Sequence, residues 1–262
     1  MAGEGPPLLF LHGWGLAHRA YRGALRRLAA EGSHVYAPAL PGFGGTAALP
    51  PDEFSLPGYA RWVAAFLDAV DVTEPVAVVG HSFGGGVAIQ FAHQEPERVR
   101  SLVLVNSIGG SAWAHRGSVL RSLAERPLWD WGLHLAQDLL PVRQLTRVLP
   151  VILEDAVQNV VRDPRSVWRV SELARRADLT NELDEIRRRG LPIVVLWGKA
   201  DRVLPQASME SLCAAAGISP EQCVTVAGGH TWLLADPASF GEIMTNITAL
   251  VRTGDDGDVT AA

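Results

Sequence analysis

Six short apolar runs punctuate the chain, most of them separated by the length of a helix. They are "PLLFLHG" (residues 7–13), "HVYAPAL" (34–40), "VAVVG" (76–80), "VRSLVLVN" (99–106), "PIVVLWG" (192–198) and "QCVTVAG" (222–228). Each is continuous rather than alternating, the pattern of a strand buried on both faces. The stretches between them carry helical periodicity. In "SLPGYARWVAAFLDAVDV", Ser55 is placed to cap a helix whose Tyr59, Trp62, Val63, Phe66, Leu67 and Val70 recur at helical spacing. Asp236 followed by Pro237 marks the start of a last helix that runs to Val251. This alternation predicts an α/β fold, a mostly parallel, doubly wound sheet with helices on both faces.

One interval breaks the rhythm. Residues 108–189 hold no strand run, only helical patterns cut by Pro127, Pro141, Pro150 and Pro164. Four of the eight tryptophans fall there: Trp113, Trp129, Trp131 and Trp168. They are expected to pack a helical insertion onto itself and onto the sheet. The division expected is a core of residues 1–107 and 190–252, an insertion over 108–189 and a disordered polar tail, 253–262. A hydrophobic content of 48% allows a sizeable core and argues against disorder elsewhere. Net charge is −5, so no basic field suggests a nucleic-acid partner. The two cysteines, Cys213 and Cys223, have no metal-binding spacing and read as reduced core thiols. Neither a secretory leader nor an apolar run of ~18 residues is visible, so a cytoplasmic protein with no membrane partner is expected.

The third run ends in "GHSFG", residues 80–84, and a helical pattern follows. Strand, sharp turn and helix are the setting in which a serine nucleophile is presented. The chain turns so tightly that only small residues fit two before and two after, here Gly80 and Gly84. The helix behind aims its N-terminus at the site and favours developing negative charge. A glycine-rich turn with an incidental serine would look the same, so Ser82 needs a base and the base an orienting partner. Asp201 follows the fifth run and His230 follows the sixth. Parallel strands deliver their C-terminal ends to one edge of the sheet, so Ser82, Asp201 and His230 should converge. Alone, Asp201 reads as a helix N-cap or a loop acid and His230 as a solvated loop residue; together, in that order, they fit a Ser-His-Asp triad. An oxyanion needs two donors. The backbone N–H of Phe83 is one. That of Trp14, in "LHGWGL" after the first run, is the other, with Gly13 and Gly15 letting the backbone approach. His12 and His81 read as groups that shape their turns rather than as bases.

"LFLHGWG", "LPGFGG", "VVGHSFGGGVAIQFA", "PERVRSLVLVN", "VLWGKADRVLP" and "AGGHTWLLADP" together resemble the sequence blocks of the α/β-hydrolase superfamily. The resemblance covers nearly the whole of residues 8–251. It implies Ser82 as nucleophile, His230 as base, Asp201 as acid, and Trp14 and Phe83 as oxyanion donors. It implies no metal and no cofactor, and it places a helical cap at residues 108–189. The family's N-terminal antiparallel strands have no room here, since only seven residues precede "LLFLHG", which would leave the 34–40 run as an exposed sheet edge.

Relatives with an aspartate nucleophile, the dehalogenases and epoxide hydrolases, are disfavoured by Ser82. What remains is a serine hydrolase that cleaves a small-molecule carboxylic ester through an acyl-enzyme. A closed cap would favour small to medium apolar acyl groups. C–C bond hydrolases share the same triad. "HGWGL" also resembles methyl esterases acting on carrier-bound acyl groups. The 108–189 segment holds 13 Arg against 11 Asp or Glu, which would suit an acidic carrier protein, although arginines on helices are more often a solvated face. A ligand sensor that keeps the triad and turns over slowly is the remaining alternative.

Overall fold

The computed structural model describes residues 1–111 and 142–256. Its strands are β1 (Pro7–Leu11), β2 (His34–Tyr36), β3 (Val76–His81), β4 (Val99–Val105), β5 (Ile193–Gly198) and β6 (Val224–Val226). They form one sheet in the order β2-β1-β3-β4-β5-β6, and every neighbouring pair is parallel. The helices are α1 (Arg22–Ala30), α2 (Leu56–Ala69), α3 (Phe83–Gln94), α4 (Val142–Arg162) and α5 (Pro164–Arg176). They continue with α6 (Thr180–Arg188), α7 (Gln206–Ala215), α8 (Trp232–Ala235) and α9 (Pro237–Asp256).

The apolar runs of the sequence become intelligible in this sheet. Successive side chains on a strand face opposite ways. Leu9, Leu11, Val78, Leu102, Leu104, Val195 and Trp197 pack with α2, α3, α6 and α7. Leu8, Phe10, Val79, Val103, Val105 and Leu196 pack with α1 and α9 on the other face. Both faces are covered, so no polar residue is wanted at alternate positions. The first helix falls on one face and α3 on the other, and the strand order reverses between β1 and β3. Loops leaving those two strands diverge there and open a crevice beyond their carboxyl ends.

The 34–40 run is a shorter strand than its apolarity suggests. After Tyr36 the chain leaves the ladder, and Leu40 N–H donates to His12 Nε2 at 2.8 Å. Its outer edge is not bare. Val35 and Ala2 exchange two backbone hydrogen bonds, of 2.8 and 3.2 Å, in an isolated antiparallel bridge. A single bridge thus covers part of that edge.

Ser55 caps α2, its Oγ accepting from Gly58 N at 3.1 Å. Asp236 caps α9 through Ser239 N, and that helix continues to Asp256, into the segment read from sequence as tail. Between β4 and β5 the described residues from 142 to 188 are mostly helical. Pro164 begins α5 behind the cap Asp163, but Pro150 lies inside α4 and does not end it. One ladder bond is lost there. Buried side-chain bonds of Asp155 and Asn159 hold the helix beyond it. Trp113, Trp129 and Trp131 lie outside the described residues. Trp168 is 57% exposed, contrary to the expectation that it packs; its neighbours Val167 and Val170 take the inward side of α5.

Candidate active site

Ser82 stands between β3 and α3 with φ +53° and ψ −118°. Positive φ is costly for a residue with a side chain. The surroundings hold it there. Ser82 N–H donates to Val105 O, and Ser82 O accepts from Gly85 N and Ile108 N. A Cβ on Gly84 would strike the Leu11 and His12 carbonyl oxygens, and one on Gly80 would meet Gly84 O and the Gly85 backbone. The turn closes only with glycine at both positions.

His230 lies four residues beyond β6 and Asp201 three beyond β5. The structure brings both to Ser82. His230 Nε2 is 2.9 Å from Ser82 Oγ, and His230 Nδ1 is 2.8 Å from Asp201 Oδ2. A carboxylate only accepts, so Nδ1–H donates to Asp201, which leaves the Nε2 lone pair of the neutral ring to accept from the Ser82 hydroxyl. An imidazole so placed can take the hydroxyl proton as the oxygen attacks an electrophile.

The two oxygens of Asp201 face different partners. Its Oδ1 accepts from Val203 N and Leu204 N at 2.8 and 2.9 Å, a loop cap, while Oδ2 faces His230. Burial pushes its carboxyl up. The His230 charge and hydrogen bond, with the donors Leu204 N–H and Asn106 Nδ2–H, outweigh this and hold it below the usual carboxylate range. Asn106 joins this group. It ends β4 at φ +42°, donates to Asp201 Oδ2 at 2.6 Å and accepts from Trp232 Nε1 at 3.1 Å. A polar residue closing an apolar strand run was the available signal.

Gly13, Trp14, Leu16, Tyr21, Val203 and Thr231 line a pocket with Ser82, His81 and His230. Phe83 is the first residue of α3, so its N–H belongs to the helix's first turn, where no intrahelical acceptor exists. Its ring packs edge-on to Tyr59. Gly13 is where close approach matters: a Cβ there would crowd Ser82 Cβ and the Tyr21 hydroxyl. Gly15 instead sits in open space at φ +75°.

His12 and His81 each engage both ring nitrogens in hydrogen bonds that hold the surrounding turns. His12 Nδ1–H donates to Gly13 O at 2.9 Å, and its Nε2 accepts from Leu40 N–H. His81 Nε2–H donates to His230 O at 2.9 Å, and its Nδ1 accepts from Tyr21 OH at 2.8 Å. Tyr21 OH in turn accepts from Gly13 N–H at 3.0 Å. Tyr21 is thus a further site residue that no motif marked. Burial lowers His12 to about 4, against its bond to the Gly13 carbonyl. Burial, with the His230 charge, lowers His81 to about 3.

Those two rings predict an acid-labile fold. Unfolded histidine titrates near ~6.5. Both folded values lie below that, so protons bind the unfolded chain first. The stabilisation is complete above about pH 6.5 and is lost as pH falls towards 4 for His12 and 3 for His81. At pH 5 each ring should cost roughly 2 kcal/mol, and the melting temperature should fall on the order of 10 °C from its value at pH 7. Melts followed by circular dichroism check this. A midpoint unchanged from pH 7 to 5 would mean that the rings ionise freely in the folded chain.

Among the described residues, no group of three or more His, Cys, Asp or Glu is placed to hold a metal ion. No described helix is long and apolar enough to cross a membrane.

A family model described as alpha/beta hydrolase fold matches residues 6–237. The 2-hydroxymuconate semialdehyde hydrolase of Pseudomonas putida is 32% identical over 221 residues, 79% of this chain and 75% of that protein. The pimeloyl-acyl-carrier-protein methyl ester esterase of Aeromonas hydrophila is 28% identical over 256 residues, 92% of this chain and 95% of that one. A solved thermophilic esterase from Thermogutta terrifontis superposes with a TM-score of 0.71 at 23% identity, covering 95% of this chain and 92% of its own.

Proposed function

Because the chain belongs to the alpha/beta hydrolase fold family, we propose that it is a serine hydrolase cleaving a carboxylic ester of a small to medium apolar acyl group. The observation that carries this reading is the line from Ser82 Oγ through the His230 ring to Asp201 Oδ2, with separations of 2.9 and 2.8 Å. In this reading Ser82 Oγ attacks the ester carbonyl, and its proton passes to His230 Nε2. Asp201 stabilises the imidazolium. The N–H groups of Trp14 and Phe83 hold the oxyanion, aided by the N-terminus of α3. Collapse expels the alcohol, which takes the proton from His230. A water that gives its proton to His230 then releases the acid and restores Ser82.

The helices between β4 and β5 act as a cap in this reading. Val167 of α5 meets the indole of Trp14 beside the pocket, and apolar Leu16 and Val203 line its wall. A roofed apolar pocket favours esters dissolved as monomers over oil droplets. In a series of 4-nitrophenyl esters, kcat/KM should rise up to about fourfold per added methylene, the ~0.8 kcal/mol of a buried CH₂. It should then fall once the pocket is full. An optimum at long chains, or a jump in rate at the surface of an emulsified triglyceride, would overturn the closed-pocket reading and indicate a lipase.

The two curated relatives favour a second reading on the same residues. A C–C bond hydrolase, or a methyl esterase acting on an acyl group held by an acidic carrier protein, would keep Ser82, His230 and Asp201 in place. Turnover of a vinylogous diketone, or of a carrier-bound methyl ester, in preference to every simple ester would select it.

A further inference from the structure

Over its second half, from Ile152 to Arg162, helix α4 buries polar side chains and exposes apolar ones. The side chains it buries include Ile152, Asp155 and Asn159, spaced three and four apart on one face, and the last two are 5% and 3% exposed. Its apolar Leu153, Val157, Val160 and Val161 are each about half exposed or more. Asp and Asn are seldom buried this deeply unless bonded, and the bonds here converge on the chain beside the site. Asp155 Oδ2 accepts from Ala17 N at 3.2 Å and Ala20 N at 3.1 Å. Asn159 Nδ2 donates to Gly15 O at 3.0 Å, while its Oδ1 accepts from Gly44 N at 2.9 Å. From α5, Val167 O accepts from Trp14 Nε1 at 2.7 Å. The segment from Trp14 to Ala20 is thereby held by the helices above it. Its root is held by the sheet, through Gly13 N–H, Tyr21 OH and His81. Between these anchors lies Gly15, at φ +75°, whose carbonyl oxygen is held by Asn159 Nδ2.

We propose that Asp155 and Asn159 are positioning residues for the oxyanion-binding loop. The helices between β4 and β5 would then set the direction of the Trp14 N–H as well as roofing the pocket. This rests on the reading of Ser82 as nucleophile and Trp14 N–H as oxyanion donor. The physical reason is the tolerance of such donors: they act at 2.7–3.1 Å from the oxyanion, and a shift well under 1 Å forfeits the bond. A loop held only at its root would point the Trp14 N–H through a range of directions.

The variants are Asp155→Ala, Asp155→Asn, Asn159→Ala and Asn159→Asp. Both bonds of Asp155 end on one oxygen, so the amide oxygen of Asp155→Asn can keep them. Asn159→Asp keeps shape and the Gly44 bond but turns an acceptor towards Gly15 O. Each is assayed on the 4-nitrophenyl ester that the wild type turns over best. Each is also titrated with a trifluoromethyl ketone of the same acyl chain and with the corresponding methyl ketone. The trifluoromethyl ketone takes Ser82 Oγ onto its carbonyl carbon, sends the proton to His230 and presents a true oxyanion; the methyl ketone barely adds.

Asp155→Ala, Asn159→Ala and Asn159→Asp should lower kcat about tenfold or more with KM changed less than threefold. They should weaken the trifluoromethyl ketone by a similar factor and leave the methyl ketone unmoved. Asp155→Asn should stay within threefold of wild type. Circular dichroism confirms folding, and the near-isosteric Asn159→Asp serves if an alanine variant does not fold. Unchanged kcat in the folded variants, a rise in KM alone, or equal losses in Asp155→Asn and Asp155→Ala would each overturn the proposal. A wild type that neither cleaves esters nor binds the trifluoromethyl ketone would instead remove the ester-hydrolase reading, and this inference with it.

Discussion

Ser82→Ala is expected to lower kcat by about 10⁴-fold or more and to leave the fold as stable as the wild type. Loss of a triad nucleophile typically has that scale. The variant removes one oxygen, and that oxygen caps no helix. Its one bond in the described structure goes to His230 Nε2, a ring still held by Asp201 through Nδ1. The strained φ of +53° is kept by backbone bonds that alanine makes equally well. Melting temperature should therefore shift by no more than a few degrees. Titration with a fluorophosphonate and intact-mass measurement adds a second readout: wild type gains one adduct and the variant none. Near-normal turnover in Ser82→Ala would show that another group attacks the substrate, and the C–C cleavage and esterase readings would both lose their nucleophile.

The three residues of that line were legible because each stands just beyond a strand. An apolar run gives the strand, a parallel sheet gives the shared edge, and the residue after the run is delivered to it. Asp201 and His230 followed from residue type, order and position, and Ser82 also from the glycines at 80 and 84. The strand ends were less legible. The run at 34–40 stays apolar after its ladder stops at Tyr36, because residues such as Leu40 bury themselves under the site loops rather than in the sheet. Nothing local marked Tyr21, Asp155 or Asn159, and Asn106 showed only as a polar residue closing an apolar run. Their partners lie 8 to 144 residues away, and each works by satisfying a buried polar group that exists only once the chain has folded. In the second half of α4 the apolar Val157, Val160 and Val161 even lie outward, with Asp155 and Asn159 inward.

Asp201→Asn should lower kcat by about 10³- to 10⁴-fold, nearly as much as loss of the serine. The hydrogen bonds around residue 201 decide how the amide must sit. Val203 N–H and Leu204 N–H both point at Oδ1 and are fixed by the backbone, so the amide oxygen has to take that place. The amide NH₂ then occupies the position of Oδ2, facing Asn106 Nδ2 and His230 Nδ1. Asn106 has little freedom to turn its own oxygen forward, because that oxygen already accepts from Trp232 Nε1 and Gly198 N. The remaining adjustment is in His230. Its Nδ1 becomes the acceptor, and the proton moves to Nε2, the nitrogen that should receive the Ser82 proton. A ring in that tautomer presents a donor to Ser82 Oγ and is no base towards it. The NH₂ group also cannot stabilise an imidazolium as the carboxylate does. The loss should therefore fall on kcat, with KM for a 4-nitrophenyl ester changed severalfold at most. Acylation should be the slowed step, so pre-steady-state kinetics with substrate in excess should show a burst in wild type and none in the variant. Rates within tenfold of wild type in Asp201→Asn would mean that the orienting charge for His230 comes from a different carboxylate.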